Sequence, residues 1–512
     1  MTPWTKADCY APVVSLPVVR LLTALAVRHK RPLKQGDFKN AFVQASLPEN
    51  ETTIIRPPTG CFRSGSSSFW RLRKSLYGLR RAPHHWYKLV SSILTSPEIG
   101  LSQCKNDPCV LVCRPLPGQP PLYLILYVED FVYFSPSVDV ESYFESALKQ
   151  HMTVDYLGDA EWFLGVQFHW SFNQSGDLCC QLSQEGYIQA IVSELGLTHA
   201  NTCPTMTPFR SGLPIDTIPH VDFSDHDRAP IIDKMRSWLG MLNWLCQGTR
   251  PDIATITSLL ASFTSCPSPG HLDAIKHIGR YLKSTSDLGL VFSSSGNPIL
   301  EAFLHFPLND DIITPDGFLS PHCTGFCDAN WGPQDASVPK TDAPSRSVSS
   351  HETKSVCGHV LFMGGAPIKW FTHKEKRNSR RATDKCVKSV QQFRHLLDEL
   401  GLLDSTSSTP IINDNRGAID WSHTSSTKGL RHLNIRENCV RESIQLNEVS
   451  VNHIAGTSNP ADLFSKEFKS DALFRSLRAL LLSYPSTFPP LGVPRLDGGC
   501  QFRQGSPGVT PA

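Results

Sequence analysis

The sequence has no excess of one charge, no long apolar run and no basic-then-apolar leader at its start. It carries 49 Lys and Arg against 47 Asp and Glu, so its net charge of +2 does not predict a polyanion partner for the chain as a whole. No apolar stretch approaches the roughly 20 residues of a membrane-spanning helix. We therefore expect an intracellular protein without a membrane partner, while its compartment and oligomeric state are not readable.

Paired cysteine motifs are also missing. None of the 16 cysteines forms a Cys-x-x-Cys pair, the spacing typical of structural zinc sites. Cys323 and Cys327 beside His322 are a weaker metal candidate, and buried free thiols are the favoured interpretation. With 512 residues, 40% of them hydrophobic, the chain is long enough for about two to four domains with cores of their own.

Apolar periodicity predicts alternating helices and strands along most of the chain. Two Pro-rich stretches interrupt the pattern, a linker at 199–225 and a tail after about 484. The predicted helices lie at 13–29, 140–151, 181–196, 231–247, 252–264, 270–283, 382–401 and 416–423, and the predicted strands at 355–371 and 448–454.

One apolar stretch, Leu122–Phe134, is broken only by Glu129 and Asp130. Two β-branched and aromatic runs around a short acidic break predict a buried hairpin with two carboxylates at its tip. Adjacent carboxylates between buried strands are costly unless a cation lies beside them, and a divalent metal is one such cation. An exposed acidic turn is the ordinary alternative, and this stretch alone favours that alternative.

Two further segments carry candidate functional groups. Asp37 follows a short predicted strand, where it is either a helix cap or a site residue. Residues 69–88 combine basic and aromatic side chains without an acid, which suits a nucleic-acid surface and equally suits a helix with a solvated basic face. The basic residues considered are Arg71, Arg73, Lys74, Arg80 and Arg81.

Taken in order, these segments resemble the reverse transcriptase and RNase H portion of copia-type LTR retrotransposon Pol polyproteins. No single string is decisive, but the ordered set, which spans about residues 6–470, is specific. The strings include Tyr10-Ala-Pro-Val-Val14, Gln35-Gly-Asp-Phe-Lys-Asn-Ala-Phe42, Ser75-Leu-Tyr-Gly-Leu-Arg-Arg-Ala-Pro83, Tyr127-Val-Glu-Asp130, Phe163-Leu-Gly165, Thr249-Arg-Pro-Asp-Ile-Ala254, Asp414-Asn415 and Ala461-Asp462 with Lys466.

The resemblance implies a multidomain protein of α+β and α/β architecture. It places a reverse transcriptase palm and the start of the thumb at 1–198, a linker and helical thumb or connection at 199–293, an RNase H-like α/β domain at 294–470 and a Pro/Gly-rich tail at 471–512. Family members carry a fingers region before the string at Tyr10. Since Met1 lies only nine residues before Tyr10, we expect a palm that lacks most of the fingers.

The polymerase site implied by the resemblance consists of Asp37, Glu129 and Asp130, which would hold two Mg²⁺ ions, with Mn²⁺ as a substitute. Phe42, Tyr77 and Gly78 would line the nucleotide pocket. The partners implied are an RNA template, a DNA primer, an RNA–DNA hybrid and deoxynucleoside triphosphates. The basic residues of 71–81 would contact the nucleic acid.

The resemblance also implies a second metal site at Asp328, Asp414 and Asp462 of the RNase H-like domain. Asp414 alone also fits a helix N-cap. The family pattern Thr-Glu-x-Glu reads Thr383-Asp384-Lys385-Cys386 here, and we assign Cys386 to the position of the metal-binding glutamate. A thiol is a poor Mg²⁺ ligand, so we expect an impaired RNase H domain.

At the hairpin tip, Glu129 replaces the aspartate of the family. Its side chain is one methylene longer, and Mg²⁺ demands near-ideal geometry. The expected function is an RNA-directed DNA polymerase, and the alternative is a catalytically inactive retroelement remnant that at most binds nucleic acid.

Overall fold

The computed structural model describes most of the chain up to residue 483. The described residues are 5, 9–58, 60–61, 69–113, 118–199, 203–210, 214–219, 225–297, 300–301, 312–313, 319–320, 323–330, 355–375, 380–423 and 434–483.

Twelve α-helices are described. They are α1 (Leu16–Arg28), α2 (Ala41–Gln44), α3 (Ala82–Leu94), α4 (Val138–His151), α5 (Glu185–Glu194), α6 (Asp225–Gly248), α7 (Ala254–Ala261), α8 (Pro269–Ser284), α9 (Arg380–Glu399), α10 (Arg416–His423), α11 (Asn434–Gln445) and α12 (Asp471–Ala479).

The described strands fall into three larger sheets and two short pairs. They are β1 (Lys34–Phe38), β2 (Ile54–Ile55), β3 (Trp70–Arg71), β4 (Ser102–Gln103), β5 (Val110–Cys113), β6 (Leu122–Tyr127), β7 (Asp130–Phe134), β8 (Val154–Asp159), β9 (Trp162–Phe163), β10 (Val166–Phe172), β11 (Leu178–Ser183), β12 (Leu290–Ser293), β13 (Ile312–Ile313), β14 (Leu319–Ser320), β15 (Cys323–Asn330), β16 (Ser355–Met363), β17 (Ala366–Glu375), β18 (Thr409–Asn413) and β19 (Val449–His453).

The first sheet is antiparallel, in the order β4-β5-β6-β7-β1-β8. Along β6, Tyr123 and Ile125 join one apolar core with α1, while Leu122 and Leu124 join another with α3 and α4. Successive side chains of a strand point to opposite faces, so a continuous apolar run is what a sheet covered on both faces requires. The predicted buried hairpin is therefore present as β6 and β7.

The second sheet has the order β12-β11-β10-β9 and packs with α5, α6 and α8 in one core. The helix predicted over 181–196 was wrong at its start. Residues up to Ser183 belong to β11, and α5 begins only at Glu185. The cause is that Gln181, although polar, pairs across to Val291 inside the sheet, so strand pairing overrides the helical pattern.

The third sheet is mixed, with the order β17-β16-β15-β18-β19. β15 runs antiparallel to β16 and parallel to β18, and α9 packs against β15, β16 and β18. The single strand predicted over 355–371 is instead a hairpin. Gly364 and Gly365 have φ values of +57° and +78°, which glycine tolerates, and they reverse the chain between β16 and β17.

The tail boundary predicted at 471 lies too early in the chain. Residues 471–479 form α12, whose Phe474 and Leu477 are buried, and Ser483 pairs with Gly289 beside β12. The apolar spacing at 474, 477, 480 and 481 is that of an amphipathic helix and its C-terminal turn. In the part of the chain that the structure describes, no helix is both long enough and apolar enough to cross a bilayer.

Candidate active sites

The tip of the β6–β7 hairpin lies beside β1. Asp130 is the register partner of Asp37 across β1 and β7, and the backbone N–H of Phe38 donates to the carbonyl of Glu129 at 2.8 Å. The tight turn needs a positive φ of 55° at Val128, and the indole Nε1 of Trp86 donates to the carbonyl of that residue at 2.5 Å. Two carboxylates are thus held side by side by strand pairing.

Burial and mutual repulsion act on these two aspartates. Burial raises the pKa of Asp37, and the charges of Glu129 and Asp155 raise it further, while Lys39 opposes the rise. Burial also raises the pKa of Asp130, with added contributions from Asp37 and Glu129. Carboxylates that repel each other in this way favour a cation between them.

Glu129 turns towards a different partner. The hydroxyl of Tyr77 donates to Oε2 of Glu129 at 2.7 Å, and the ring of Phe42 lies 4.7 Å from the ring of Tyr77. Among the described residues, the carboxylate oxygens of Asp37, Glu129 and Asp130 do not form a group lying within 4.8 Å of one another. The structure therefore pairs the two aspartates and directs the glutamate to the tyrosine.

The basic segment contains exposed residues and one residue that forms an ion pair within the protein. Arg71, Arg73, Lys74 and Arg80 are exposed. By contrast, Arg81 donates from NH1 to Oε2 of Glu51 at 2.7 Å. Gly78 has a φ of +92° in the same loop. Among the predicted nucleic-acid contacts, Arg81 is thus already held by a carboxylate.

A second acidic cluster joins three elements of the third sheet region. Asp328 lies on β15, Asp414 follows β18, and Asp462 lies in the short 3₁₀ helix Pro460–Phe464. One carboxylate oxygen from each lies within 4.8 Å of the other two. The three acids predicted together are therefore brought together, and Asp328 and Asp462 are buried.

Two neighbouring side chains contact this cluster. The ammonium of Lys466 lies 2.7 Å from Asp462 Oδ1 and 3.6 Å from Asp328 Oδ2, and the hydroxyl of Ser465 donates to Asp328. Lys466 stands four residues after Asp462, a spacing that predicts side-chain contact in a helix. The sequence carries no comparable signal for Ser465, whose role depends on the fold.

Electrostatics within the cluster resemble those of the hairpin site. Burial raises the pKa of Asp462 to about 7. The hydrogen bond from Lys466 opposes this rise, and the charge of Asp328 adds to it. Burial and then Asp328 also raise the pKa of Asp414. Burial would lower the pKa of Lys466, but the surrounding carboxylates outweigh it and the pKa is raised. The cluster therefore attracts positive charge, which Lys466 partly supplies.

The assignment of Cys386 to a ligand position was wrong. Cys386 is fully buried on α9, and a Cβ added at Gly325 would lie 2.9 Å from its Sγ. Gly325 and Asp328 stand three residues apart on β15, so a Cβ added at Gly325 and the side chain of Asp328 point to opposite faces of the sheet. Cys386 lies on the face of the sheet that α9 covers, whereas Asp328 contacts Ser465 on the opposite face. Asp384 does not belong to the cluster either, among the residues described.

Comparison with known proteins adds the family. Residues 4–209 match the family model described as "Reverse transcriptase (RNA-dependent DNA polymerase)". This stretch is therefore similar to reverse transcriptases. The matched range contains β1, β6 and β7, and with them Asp37, Glu129 and Asp130.

Curated proteins similar to this chain include retrotransposon polyproteins, which confirms the copia-type resemblance. The "Retrovirus-related Pol polyprotein from transposon RE2" of Arabidopsis thaliana is 25% identical over 469 residues, 90% of this chain and 28% of the relative. The corresponding polyprotein from transposon TNT 1-94 of Nicotiana tabacum is 25% identical over 470 residues, 90% of this chain and 31% of the relative. The chain spans less than a third of the length of these relatives.

Among solved structures, a foamy viral protease-reverse transcriptase in complex with dsDNA matches 89% of this chain and 71% of its own. The identity is 12% and the TM-score is 0.41. At that TM-score we infer nothing about the sites from it.

Proposed function

We propose that this chain is the RNA-directed DNA polymerase portion of a copia-type retrotransposon Pol polyprotein, with an impaired RNase H-like domain. The observation that carries the polymerase assignment is the register pair of Asp37 and Asp130 at a hairpin tip inside the family match. The reaction would join a primer 3′-hydroxyl to the α-phosphate of a deoxynucleoside triphosphate.

The donor set at the hairpin tip fits Mg²⁺, or Mn²⁺ in its place. Asp37 and Asp130 offer the carboxylate oxygens that these hard cations prefer, and burial together with the charge of Glu129 raises the pKa of each residue. Bound metal ions would lower the pKa of the attacking hydroxyl and stabilise charge on the leaving pyrophosphate. Glu129 would be the third ligand, but only after its carboxylate leaves Tyr77.

The chain's own residues would position the substrates. The rings of Phe42 and Tyr77 are in tilted contact beside the hairpin tip, where an aromatic ring would exclude a ribose 2′-hydroxyl and favour deoxynucleotides. Gly78 would let the backbone approach the nucleotide. The exposed Arg71, Arg73, Lys74 and Arg80 would neutralise phosphates of the RNA template and DNA primer, with Arg81 holding the loop through Glu51.

For the RNase H-like domain, we propose that Asp328, Asp414 and Asp462 bind a divalent metal but support little hybrid cleavage. Their oxygens lie close enough to share an ion, and Lys466 occupies part of that space as a cation. No fourth acid stands in this group among the described residues. The domain would therefore retain contacts to an RNA–DNA hybrid more readily than catalysis.

We propose the predicted domain layout with a later start for the C-terminal tail. Palm and start of the thumb would occupy 1–198, the linker and helical thumb or connection 199–293, and the RNase H-like domain would begin at 294. Because α12 and Ser483 pack onto the folded chain, the C-terminal tail would begin after Ser483 rather than at 471.

Primer extension on poly-rA/oligo-dT with Mg²⁺ or Mn²⁺ tests the polymerase assignment. We expect extension by the wild-type chain, loss in Asp130→Asn and retention in Asp139→Asn, whose side chain is exposed on α4. If neither the wild-type chain nor Glu129→Asp extends the primer, the polymerase assignment is contradicted. The chain would then be the catalytically inactive remnant.

Cleavage of a labelled RNA–DNA hybrid tests the second part. We expect no cleavage above background from the wild-type chain. Robust cleavage that disappears in Asp328→Asn would show that three aspartates suffice and that the domain is not impaired.

A further inference from the structure

The segment that carries Asp462 is enclosed on several sides. All residues of the 3₁₀ helix Pro460–Phe464 are buried. A Cβ added at Gly358 on β16 would lie 2.5 Å from the backbone carbon of Phe464, so the strand and the segment are in close contact. The position of Asp462 is therefore set by the packing of its neighbours rather than by its own hydrogen bonds alone.

One of those neighbours comes from outside the RNase H-like region. The hydroxyl of Thr255, in α7, donates to the backbone carbonyl of Leu463 at 2.6 Å, across 208 residues of sequence. Thr255 is fully buried and Leu463 nearly so. The hydrogen bond thus anchors the carbonyl of the residue that follows Asp462 to a helix that precedes the domain.

The start of α7 is itself held by a buried ion pair. Arg250 donates from Nε and NH2 to the two carboxylate oxygens of Asp252 at 3.0 and 2.8 Å. The hydroxyl of Tyr281, in α8, donates to the same carboxylate at 2.5 Å, and Arg250 also bonds Thr285. Bidentate pairs of this kind fix geometry, so Thr255 extends from a rigid base.

We propose that Thr255 is a positioning residue for Asp462. A residue of α7, outside the RNase H-like region, would thus help to orient one carboxylate of the acidic cluster. The inference rests on the proposed metal site at Asp328, Asp414 and Asp462. Thr255 touches neither substrate nor metal in this account. It acts by holding the carbonyl of Leu463, and through it the direction of the neighbouring carboxylate.

Three variants of the full chain distinguish the contribution of the Thr255 hydroxyl from that of its methyl group. Thr255→Val keeps the shape and removes the donor, and Thr255→Ser keeps the donor. Thr257→Val is the matched control, because Thr257 is also buried on α7 but its hydroxyl contacts the thiol of Cys246 at 3.5 Å.

The first readout is amide hydrogen exchange at Asp462, Ser465 and Lys466 without metal. These amides donate to carbonyls within 459–462 and so report local opening of the segment. In Thr255→Val we expect exchange to accelerate roughly tenfold, as loss of a buried hydrogen bond predicts. Thr255→Ser and Thr257→Val should exchange as the wild type does. Equal exchange in Thr255→Val and the wild type, or failure of Thr255→Ser to restore protection, would overturn the proposal.

The second readout is the Mn²⁺ concentration that slows exchange at the same amides. In Thr255→Val we expect the midpoint of protection to rise roughly tenfold. An unchanged midpoint would overturn the positioning role. If Mn²⁺ protects nothing in the wild type, the metal site itself fails, and the metal-free comparison still decides whether Thr255 holds the segment.

Discussion

Glu129 shows how one methylene group changes the partner of a carboxylate. Its side chain reaches the hydroxyl of Tyr77 at 2.7 Å, while Asp37 and Asp130 remain paired on β1 and β7. Burial and then the hydrogen bond to Glu129 raise the pKa of Tyr77 to about 12, so the phenol stays protonated and donates at neutral pH. The contact would therefore compete with the proposed metal ion for the same carboxylate.

Shortening this side chain should favour the metal. In Glu129→Asp the carboxylate stays closer to Asp37 and Asp130, and we expect the Mg²⁺-dependent extension rate to rise by roughly tenfold to a hundredfold, since ligand displacement of about 1 Å has effects of that order. Primer extension measures the rate, and Glu194→Asp, exposed at the end of α5, serves as the matched control. An unchanged or slower rate in Glu129→Asp would contradict this explanation.

His359 is a buried histidine on β16. Its Nε2 lies 3.0 Å from the hydroxyl of Ser389, and its Nδ1 has no hydrogen-bond partner within the described structure. Burial, with the charges of Lys369 and Lys385, lowers its pKa to about 3. The folded chain therefore holds this imidazole neutral, whereas the unfolded chain protonates it below its usual pKa of about 6.5.

The linkage has a definite sign. Because the pKa of His359 is lowered on folding, its contribution to the free energy of unfolding is fully present above about pH 6.5. Below that pH the free energy of unfolding falls by about 1.4 kcal/mol per pH unit. Between pH 6.5 and 5 we expect the wild type to lose about 2 kcal/mol relative to His359→Leu. Urea unfolding of both proteins at the two pH values measures this difference. A stability gap that does not change with pH would contradict the neutral buried state.

At the scale of elements, the third sheet and the 3₁₀ helix Pro460–Phe464 depend on a glycine. A Cβ at Gly358 would lie within 2.6 Å of the carbonyl carbon, the carbonyl oxygen and the Cβ of Phe464. Backbone atoms cannot move aside as a flexible side chain can, so this contact fixes how closely β16 and the Asp462 segment approach.

Gly358→Ala should therefore be destabilising, by roughly 1–3 kcal/mol as overpacking predicts. The matched control is Gly240→Ala in α6, where an added Cβ meets nothing within 4 Å and should stabilise by roughly 0.5–1 kcal/mol. Urea unfolding midpoints of the two variants should move in opposite directions. A Gly358→Ala protein as stable as the wild type would show that the segment can shift freely.

Sequence patterns predicted some of these elements and missed others for identifiable reasons. The apolar runs of β6 and β7 mark a hairpin because both faces are buried, and the order of family strings places Asp37 beside it. Adjacent glycines at 364 and 365 were the available sign that β16 and β17 are separate strands. The position of Cys386 depends on which face of α9 meets the sheet, which a motif alignment does not contain.

At the scale of the whole molecule, Arg20 joins three distant parts of the chain. From α1 its Nε donates to the carbonyl of Ile368 at 2.7 Å, and NH1 donates to the last carbonyls of α6, at Gln247 and Gly248, at 2.8 and 2.7 Å. Its guanidinium lies 4.0 Å above the ring of Trp370. A cation at a helix C-terminus is favourable, so these backbone carbonyls offset part of the cost of burying this arginine.

Removing the guanidinium should loosen this junction. We expect Arg20→Met to lower the free energy of unfolding by roughly 2–3 kcal/mol, because buried carbonyls lose their donors. Arg236→Met, at an exposed position on α6, should change it by less than about 0.5 kcal/mol. Urea unfolding followed by tryptophan fluorescence measures both. Equal stability of Arg20→Met and the wild type would show that the junction contributes little.

Such long-range contacts leave little trace in a sequence. Arg20 sits in an apolar helix where a charged residue predicts a solvated face, and its acceptors are backbone carbonyls, which every residue possesses. The same holds for Thr255 and Leu463. The apolar core continues from Val14 to Leu482, so both proposed sites depend on packing between parts of the chain that are far apart in sequence.

The proposed polymerase requires that Asp37 and Asp130 serve one metal-dependent nucleotidyl transfer site. The most direct test is single-turnover incorporation of one deoxynucleotide on an RNA template by Asp37→Asn, Asp130→Asn and the double variant. Residues that act as a unit are non-additive, so we expect each single variant to lose nearly all activity and the double variant to lose no more. Wild-type rates in either single variant, or losses that multiply in the double variant, would contradict the shared site.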